Sequence, residues 1–165
     1  MIGFITCTEP KRADRLLADL ADLLLTEGQP VVGMVLADIE GASPCDMHLR
    51  LLPDGPVVGI SQDLGAGADA CTLDAGALEE AVAMAEARLA DAPEGSVLIL
   101  NKFGKQEADG RGCRALIAQG LEAGLRVILS APPETRAMFE AFAADFATEI
   151  SPDLAALAAF ARAKA

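Results

Sequence analysis

Short aliphatic runs without polar alternation recur along this chain, and segments with helical spacing of leucine and alanine separate them. Such runs favour strands covered on both faces, because an exposed face would carry a polar residue at every second position. The four clearest runs are residues 2–8, 31–36, 97–100 and 125–130. Buried strands that alternate with helices are typical of α/β domains. The pattern predicts a three-layer α/β sandwich with a mainly parallel sheet, and we expect residues 1–165 to form a single domain.

The boundaries of the remaining elements follow from helical spacing and from glycine and proline positions. Helices are predicted over residues 13–27, 74–89, 112–122 and 134–146 and from Pro152 onward, with a short strand over 148–150. Two further apolar runs, 47–52 and 57–61, flank an aspartate-glycine turn. Such a turn between two apolar runs predicts an antiparallel hairpin at the edge of the sheet.

Composition excludes several classes of partner. The net charge of -12 disfavours nucleic acid and anionic membrane surfaces, and an aromatic content of 4% leaves little for base stacking. No apolar run approaches the ~20 residues of a membrane span. The amino-terminal segment has no basic region and soon reaches Glu9, unlike a signal peptide. We therefore expect a cytoplasmic protein without membrane insertion, whose isolated cysteines stay reduced.

The segment that follows the run 97–100 is rich in glycine and in positive charge, although the chain is acidic. The candidate ligand-binding residues in it are Asn101, Lys102, Gly104, Lys105, Glu107, Gly110, Arg111 and Gly112. Ligands of open α/β sheets bind at the carboxyl ends of the strands. Glycines let backbone N–H groups approach an anion, and lysine and arginine add full charges. The segment predicts an anion site, and an ordinary solvent-exposed loop is the alternative.

A second glycine-bearing loop spans residues 61–74 and contains G-x-G-x-x-A, a variant of the dinucleotide fingerprint. That fingerprint should open a helix at once, whereas the predicted helix begins only near Asp74. We expect Ser61, Gly65 and Gly67 to close the opposite side of the anion site. A flexible hinge or lid is the alternative.

Cys45 and His48 have C-x-x-H spacing, and with Cys71 they form a candidate metal or thiol site. On a strand, however, Cys45 and His48 point to opposite faces. A structural zinc site needs four ligands, and the sequence offers no second pair with suitable spacing. The alternative is a surface histidine and a small buried cysteine.

The positions that hold nucleotide in P-loop enzymes are altered. The loop after the first run contains Thr8 and Lys11 but lacks both glycines of G-x-x-x-x-G-K-[ST]. The acid that follows the strand in Walker B is replaced by Asn101. Magnesium-dependent hydrolysis of nucleoside triphosphates is therefore disfavoured, and the sequence leans against an enzyme without deciding the question.

Several motifs resemble those of a bacterial domain family of unknown function. They are Cys45-Asp46-Met47, Ile60-Ser61-Gln62, Leu64-Gly65-Ala66-Gly67 and, above all, Asn101-Lys102-Phe103-Gly104-Lys105-Gln106-Glu107 with Gly110-Arg111-Gly112. That family is grouped with the P-loop nucleoside triphosphatases and is often encoded beside molybdate-transport genes. The resemblance implies a P-loop NTPase-like fold and a role in molybdenum homeostasis.

The leading hypothesis is a ligand-binding protein on a degenerate NTPase fold that recognises a small oxyanion, with molybdate or tungstate favoured and no definite cofactor besides. In one alternative, a nucleotide-binding enzyme places Thr8, Lys11 and Lys105 on phosphates and Glu107 near the attacking water. In another, a protein-interaction module docks an acidic partner on the basic loop. Assembly into a homo-oligomer also stays open.

Overall fold

The computed structural model describes residues 1–43, 46–62 and 72–163. In these ranges the chain forms an α/β fold with seven strands and six helices. The strands are Ile2–Ile5 (β1), Val31–Ala37 (β2), His48–Leu52 (β3), Val57–Gly59 (β4), Val97–Lys102 (β5), Arg126–Ser130 (β6) and Ala147–Glu149 (β7). The helices are Arg12–Thr26 (α1), Ala75–Ala90 (α2), Lys105–Ala108 (α3), Arg114–Glu122 (α4), Arg136–Ala143 (α5) and Leu154–Arg162 (α6).

The seven strands form one mixed sheet in the order β4-β3-β2-β5-β6-β1-β7. The pairs β2–β5, β5–β6, β6–β1 and β1–β7 are parallel, whereas β3 pairs antiparallel with both β2 and β4. The predicted α/β class is confirmed. The sheet is mixed because β3 runs antiparallel to its neighbours β2 and β4, and antiparallel neighbours need no crossover helix between them.

Hydrophobic side chains from the central strands pack into two clusters, since successive residues of a strand point to opposite faces. Phe4 and Leu100 belong to the cluster that contains α2, α4 and the buried Phe139 of α5. Ile5 and Ile99 belong to the cluster that contains α1 and α6. The first four residues of both β1 and β5 are buried, which explains why their sequences show no polar alternation.

Some boundaries differ from the sequence prediction. Helix α5 ends at Ala143 instead of residue 146, because Ala144 has φ 44° and ψ -129°, which no α-helix accommodates. A 3₁₀ turn, Ala144–Phe146, follows. The segment 101–112 contains the four-residue helix α3, which is too short to produce a detectable hydrophobic period.

The predicted N-cap of α2 is confirmed, since the Asp74 carboxylate accepts the N–H of Ala77 at 3.0 Å. Within the described residues, none of the helices combines the length and the apolar character that crossing a bilayer requires.

Candidate functional site

The carboxyl edge of the parallel strands contains the point where the chain reverses its direction of winding. Strand β1 lies between β6 and β7. From β1 the chain continues into α1 on one face of the sheet, and from β6 it continues into α5 on the other face. Loops that leave neighbouring parallel strands toward opposite faces open a crevice, which is the usual ligand position in open α/β folds.

The end of β5 is irregular at this edge. Ile99 pairs with Ile128 and Lys102 pairs with Ser130, so one extra residue lies on β5 between these two pairs. The hydroxyl of Ser130 donates to the backbone oxygen of Asn101 at 2.8 Å and fixes the bulged strand. Bulges of this kind redirect side chains and are common beside functional sites. Here the irregular stretch includes Asn101 and ends at Lys102, the two residues that begin the predicted anion segment.

Glu107 holds the loop after β5 together from the inside. The residue is buried, and its carboxylate accepts the N–H of Gly104 at 2.8 Å and the N–H of Cys113 at 2.9 Å. A charged carboxylate that accepts backbone N–H groups is a strong internal clamp. Glu107 therefore faces the protein and presents neither oxygen to solvent at the sheet edge.

The glycine N–H groups that we expected to meet an anion all donate within the protein. Gly104 donates to Glu107, Gly110 donates to the backbone oxygen of Glu107 at 3.1 Å, and Gly112 donates to the carboxylate of Glu79 at 3.0 Å. An external anion would have to displace these acceptors. In this conformation the exposed side chains of the loop, and not these three glycine N–H groups, are open to a ligand.

The four cations of the loop differ in how they are engaged. Arg114 donates to the backbone oxygen of Glu107 and stacks 4.6 Å from the centre of the Phe142 ring. Arg111 forms an exposed ion pair with Asp109 at 3.6 Å. Lys102 and Lys105 are exposed, and neither side chain forms a hydrogen bond or ion pair with any described residue. These two lysines therefore carry the available positive charge at the end of β5.

Asn101 adds a polar group that is partly hidden. Its side-chain oxygen is buried and finds no hydrogen-bond partner in the described part of the chain. Buried polar atoms are nearly always paired in folded proteins. An unpaired one at the end of β5 marks this edge as a place where a further hydrogen-bonding group would be stabilised.

Arg136 forms a second polar cluster, which our sequence analysis missed, at the end of β1. It lies at the start of α5, donates from Nη1 and Nη2 to the two Glu149 oxygens at 2.7 and 2.8 Å, and donates to the Thr6 hydroxyl at 3.3 Å. The hydrogen bonds to Glu149 and Glu140 raise the pKa of Arg136, and those from Arg136 lower the pKa of Glu149. The spacing of Arg136 and Glu140 is visible in the sequence, but nothing there connects Arg136 to Glu149.

The other predicted site residues form contacts in the region of β3 and β4 or lie outside the described residues. The Ser61 hydroxyl accepts the N–H of Met47 at 3.2 Å, and Ser61 forms a β-bridge with Leu73. His48 begins β3, pairs with Gly59, and has a buried Nδ1 without a partner among the described residues. The remaining predicted residues, Cys45, Gly65, Gly67 and Cys71, lie outside the described residues. In the ranges that are described, no three His, Cys, Asp or Glu side chains come together as a metal site.

Two open grooves, of about 720 Å³ and 680 Å³, lie at the opposite edge of the sheet. The first contains Val31 at the start of β2, and the second contains Val97 at the start of β5. Neither groove includes a residue of the predicted anion site.

Comparison with known proteins places the chain in a family. The model of a family described as proteins of unknown function, DUF2478, matches residues 2–160. This chain belongs to the DUF2478 family.

A related sequence is that of the molybdenum import ATP-binding protein ModC 2 of Bradyrhizobium diazoefficiens, which is 40% identical over 122 residues. The matched segment is 72% of this DUF2478 chain but only 13% of that protein's length. A structural relative is the solution structure of a human cancer-related nucleoside triphosphatase, with a TM-score of 0.64 and 17% identity. The superposition covers 90% of this chain and 87% of that one, so the fold is P-loop NTPase-like.

Within this DUF2478 chain the nucleotide-binding positions of that fold are altered in a consistent way. The loop after β1 has no glycine pair, and the residue after the aliphatic part of β5 is Asn101 instead of an acid. Likeness of fold by itself therefore does not assign a nucleoside triphosphatase activity to this chain.

Proposed function

We propose that this protein binds a small oxyanion, molybdate or tungstate first, at the carboxyl end of β5 on a degenerate P-loop NTPase-like fold. The observation that carries the proposal is a pair of exposed lysines in a chain of net charge -12: Lys102 at the end of β5 and Lys105 at the start of α3 have no side-chain partner among the described residues. We take residues 1–165 as one three-layer domain with an edge hairpin at β3–β4. Clusters on two faces of the sheet and the antiparallel pairing of β3 with β4 support that arrangement.

The loop is well suited to this role because it is rigid before any ligand arrives. Glu107 and Glu79 satisfy the N–H groups of Gly104, Cys113 and Gly112, so the positions of Lys102 and Lys105 are set by a fixed backbone. A preorganised site loses less conformational entropy on binding than a mobile one. Arg111 would add a third charge if the anion replaced Asp109 as its partner.

Asn101 is the hydrogen-bonding member of the proposed site. The –NH₂ group of its amide would donate to an oxyanion, which only accepts hydrogen bonds, and its unpaired oxygen would accept from a water that the ligand holds. Ser61, Gly65 and Gly67 would close the site from the other loop. The preference for molybdate or tungstate is supported by the 40% identity to a segment of a molybdenum import ATP-binding protein.

The experiment is a thermal-melt and calorimetric panel with molybdate, tungstate, sulfate and phosphate. A ligand at 100 times its dissociation constant adds ~2.7 kcal/mol, which raises the melting midpoint of a domain of this size by roughly 5 to 10 °C. Molybdate or tungstate should give this shift in the wild type and lose it in Lys102→Ala/Lys105→Ala. Arg15→Ala removes an exposed positive charge from α1 and serves as the control. Retained molybdate binding in the lysine double variant would overturn the proposal.

A nucleotide-binding role is the second candidate, and the likeness to a nucleoside triphosphatase fold favours it. Thr8 and Lys11 follow β1, and Lys11 adopts φ 58° at the N-cap of α1. The buried carboxylate of Glu107 would need to leave its two N–H partners before it could activate water. A magnesium-dependent melting shift with ATP or GTP, followed by turnover, would favour this candidate over the oxyanion proposal.

A further inference from the structure

Arg136 presents its guanidinium in the geometry with which arginine recognises paired oxygens. Its Nη1 and Nη2 atoms donate in parallel to Oε1 and Oε2 of Glu149, at 2.7 and 2.8 Å. Two parallel N–H···O bonds of this kind fit two oxygens of a phosphate group as well as those of a carboxylate. The side chain is about one-third exposed, so this fork is reachable from solvent.

The guanidinium is held from behind by groups other than Glu149. It lies 5.4 Å from the centre of the Phe4 ring, and its Nε donates to Glu140 at 2.9 Å. Its Nη1 also donates to the hydroxyl of Thr6, which in turn donates to the backbone oxygen of Ala131 at 3.1 Å. These contacts would keep Arg136 in place if Glu149 moved away.

Glu149 is the weakly held half of the pair. It is the last residue of β7, a three-residue strand that pairs only with β1. Its side chain is about half exposed, and in the described part of the chain its carboxylate accepts only from Arg136. Exchange of this carboxylate for an external anion would therefore break one solvent-exposed interaction and no buried one.

The position of the pair adds the second argument. Thr6 follows β1, Ala131 follows β6, and Glu149 ends β7, so the Arg136 fork lies at the carboxyl edge where the chain reverses its winding direction. Open α/β folds bind their ligands there. Strand β6 separates this point from β5, which ends at Lys102, and two strand intervals correspond to a spacing of roughly 10 Å.

We propose that Arg136 is the recognition residue of a second anion site, which accepts a phosphoryl group, and that Glu149 occupies this site as an internal competitor. Thr6 supplies the adjoining hydroxyl, and Phe4 orients the guanidinium. The ligand class is a tetrahedral phosphoryl group with two adjacent free oxygens, either inorganic phosphate or the phosphate of an ester. This site is independent of the lysines of the proposed function.

The test measures phosphate affinity by titration calorimetry at low ionic strength, with inorganic phosphate and adenosine 5′-monophosphate in parallel. Glu149→Gln removes the competing charge and should bind phosphoryl groups at least tenfold more tightly than the wild type. Arg136→Gln/Glu149→Gln should lose that gain, and Arg136→Lys/Glu149→Gln should keep only a small part of it, because lysine has no fork. If affinity rises for both ligands, the site recognises the phosphoryl group itself. If it rises for the monophosphate alone, the site recognises a phosphate ester.

Glu140→Gln is the matched control, because it also removes one negative charge beside Arg136 but leaves the fork paired with Glu149. If Glu140→Gln and Glu149→Gln gained equal affinity for phosphate, the gain would come from the loss of a negative charge in general. That result would overturn the inference. So would the absence of a gain in Glu149→Gln, or its survival in Arg136→Gln/Glu149→Gln. The gain should persist in the Lys102→Ala/Lys105→Ala background, and loss of molybdate binding in that background reports only on the proposed function.

Discussion

The carboxylate of Glu107 lies directly against the Cα of Gly112, in the space where any other residue would place its Cβ. Gly112 also has φ 58°, a conformation that residues with a side chain rarely adopt. The glycine is thus required by an internal carboxylate. At least part of the glycine pattern of this loop serves the clamp made by Glu107.

Gly112→Ala should therefore destabilise the protein strongly. The new methyl group would overlap the Glu107 carboxylate, and alanine would have to adopt an unfavourable backbone conformation. Together these two effects should lower the free energy of unfolding by about 2 to 4 kcal/mol. Gly110→Ala is the matched control, because Gly110 has φ 85° but nothing lies within 4 Å of a Cβ built there. It should cost only about 1 kcal/mol. Urea denaturation of the two variants measures the difference, and equal free energies of unfolding would refute the role assigned to Glu107.

Glu107→Ala should cost about 2 to 4 kcal/mol of unfolding free energy. The substitution leaves the buried N–H groups of Gly104 and Cys113 without their acceptor. Glu80→Ala, at an exposed position of α2, removes the same charge and should stay within about 0.5 kcal/mol of the wild type. Chemical denaturation provides the measurement. A Glu107→Ala variant as stable as Glu80→Ala would mean that the carboxylate is free to act elsewhere.

The two described cysteines should differ in reactivity. Burial raises the pKa of the Cys113 thiol well above its usual range, and the neighbouring Glu107 raises it further. Burial raises the pKa of Cys7 as well, but that thiol is only partly covered. In a variant with Cys45 and Cys71 replaced by serine, a disulfide reagent at pH 8 should label Cys7 in the native state and Cys113 only in urea. Rapid native labelling of Cys113 would contradict the packing around it.

The ion pair of Arg136 and Glu149 should make a small contribution to stability that depends on pH. The hydrogen bonds from Arg136 lower the pKa of Glu149 below its ordinary value of 4.5, so the folded state favours the ionised carboxylate. That contribution is fully present above the unfolded-state pKa and is lost as the pH falls through the lower folded-state value. The melting difference between wild type and Glu149→Gln should therefore be present at neutral pH and shrink as the pH falls below 4.5 and through the lower pKa of the folded state.

Glu134→Gln, an exposed position without a hydrogen bond or ion pair in the described part of the chain, is the control for this pH series. The melting difference between wild type and Glu134→Gln should not change in this way between neutral and acidic pH. If the melting difference between wild type and Glu149→Gln stayed constant from neutral to acidic pH, the contact between Glu149 and Arg136 would not depend on the charge of the carboxylate.

Local patterns were sufficient to predict the class of fold. Aliphatic runs such as 97–100 are buried strands because a strand covered on both faces has no polar alternation, and that property is visible residue by residue. The N-cap at Asp74 was predictable for the same reason, since its partner Ala77 is three residues away. The Asn101–Gly112 segment was also recognisable, because its glycines and cations are contiguous in an acidic chain.

The contacts that the residues of the Asn101–Gly112 segment form depend on the tertiary structure. The sequence shows Glu107 as one acid among glycines and lysines. Only the folded loop turns its carboxylate inward onto the N–H of Cys113 and leaves Lys102 and Lys105 without a partner among the described residues. Arg136 and Glu149 meet because α5 and β7 converge at the end of β1, although 13 positions separate them along the chain. The periodicity of a sequence predicts which face of a helix or strand is buried. The pairing of polar groups that are distant in the sequence depends instead on how whole helices and strands pack together.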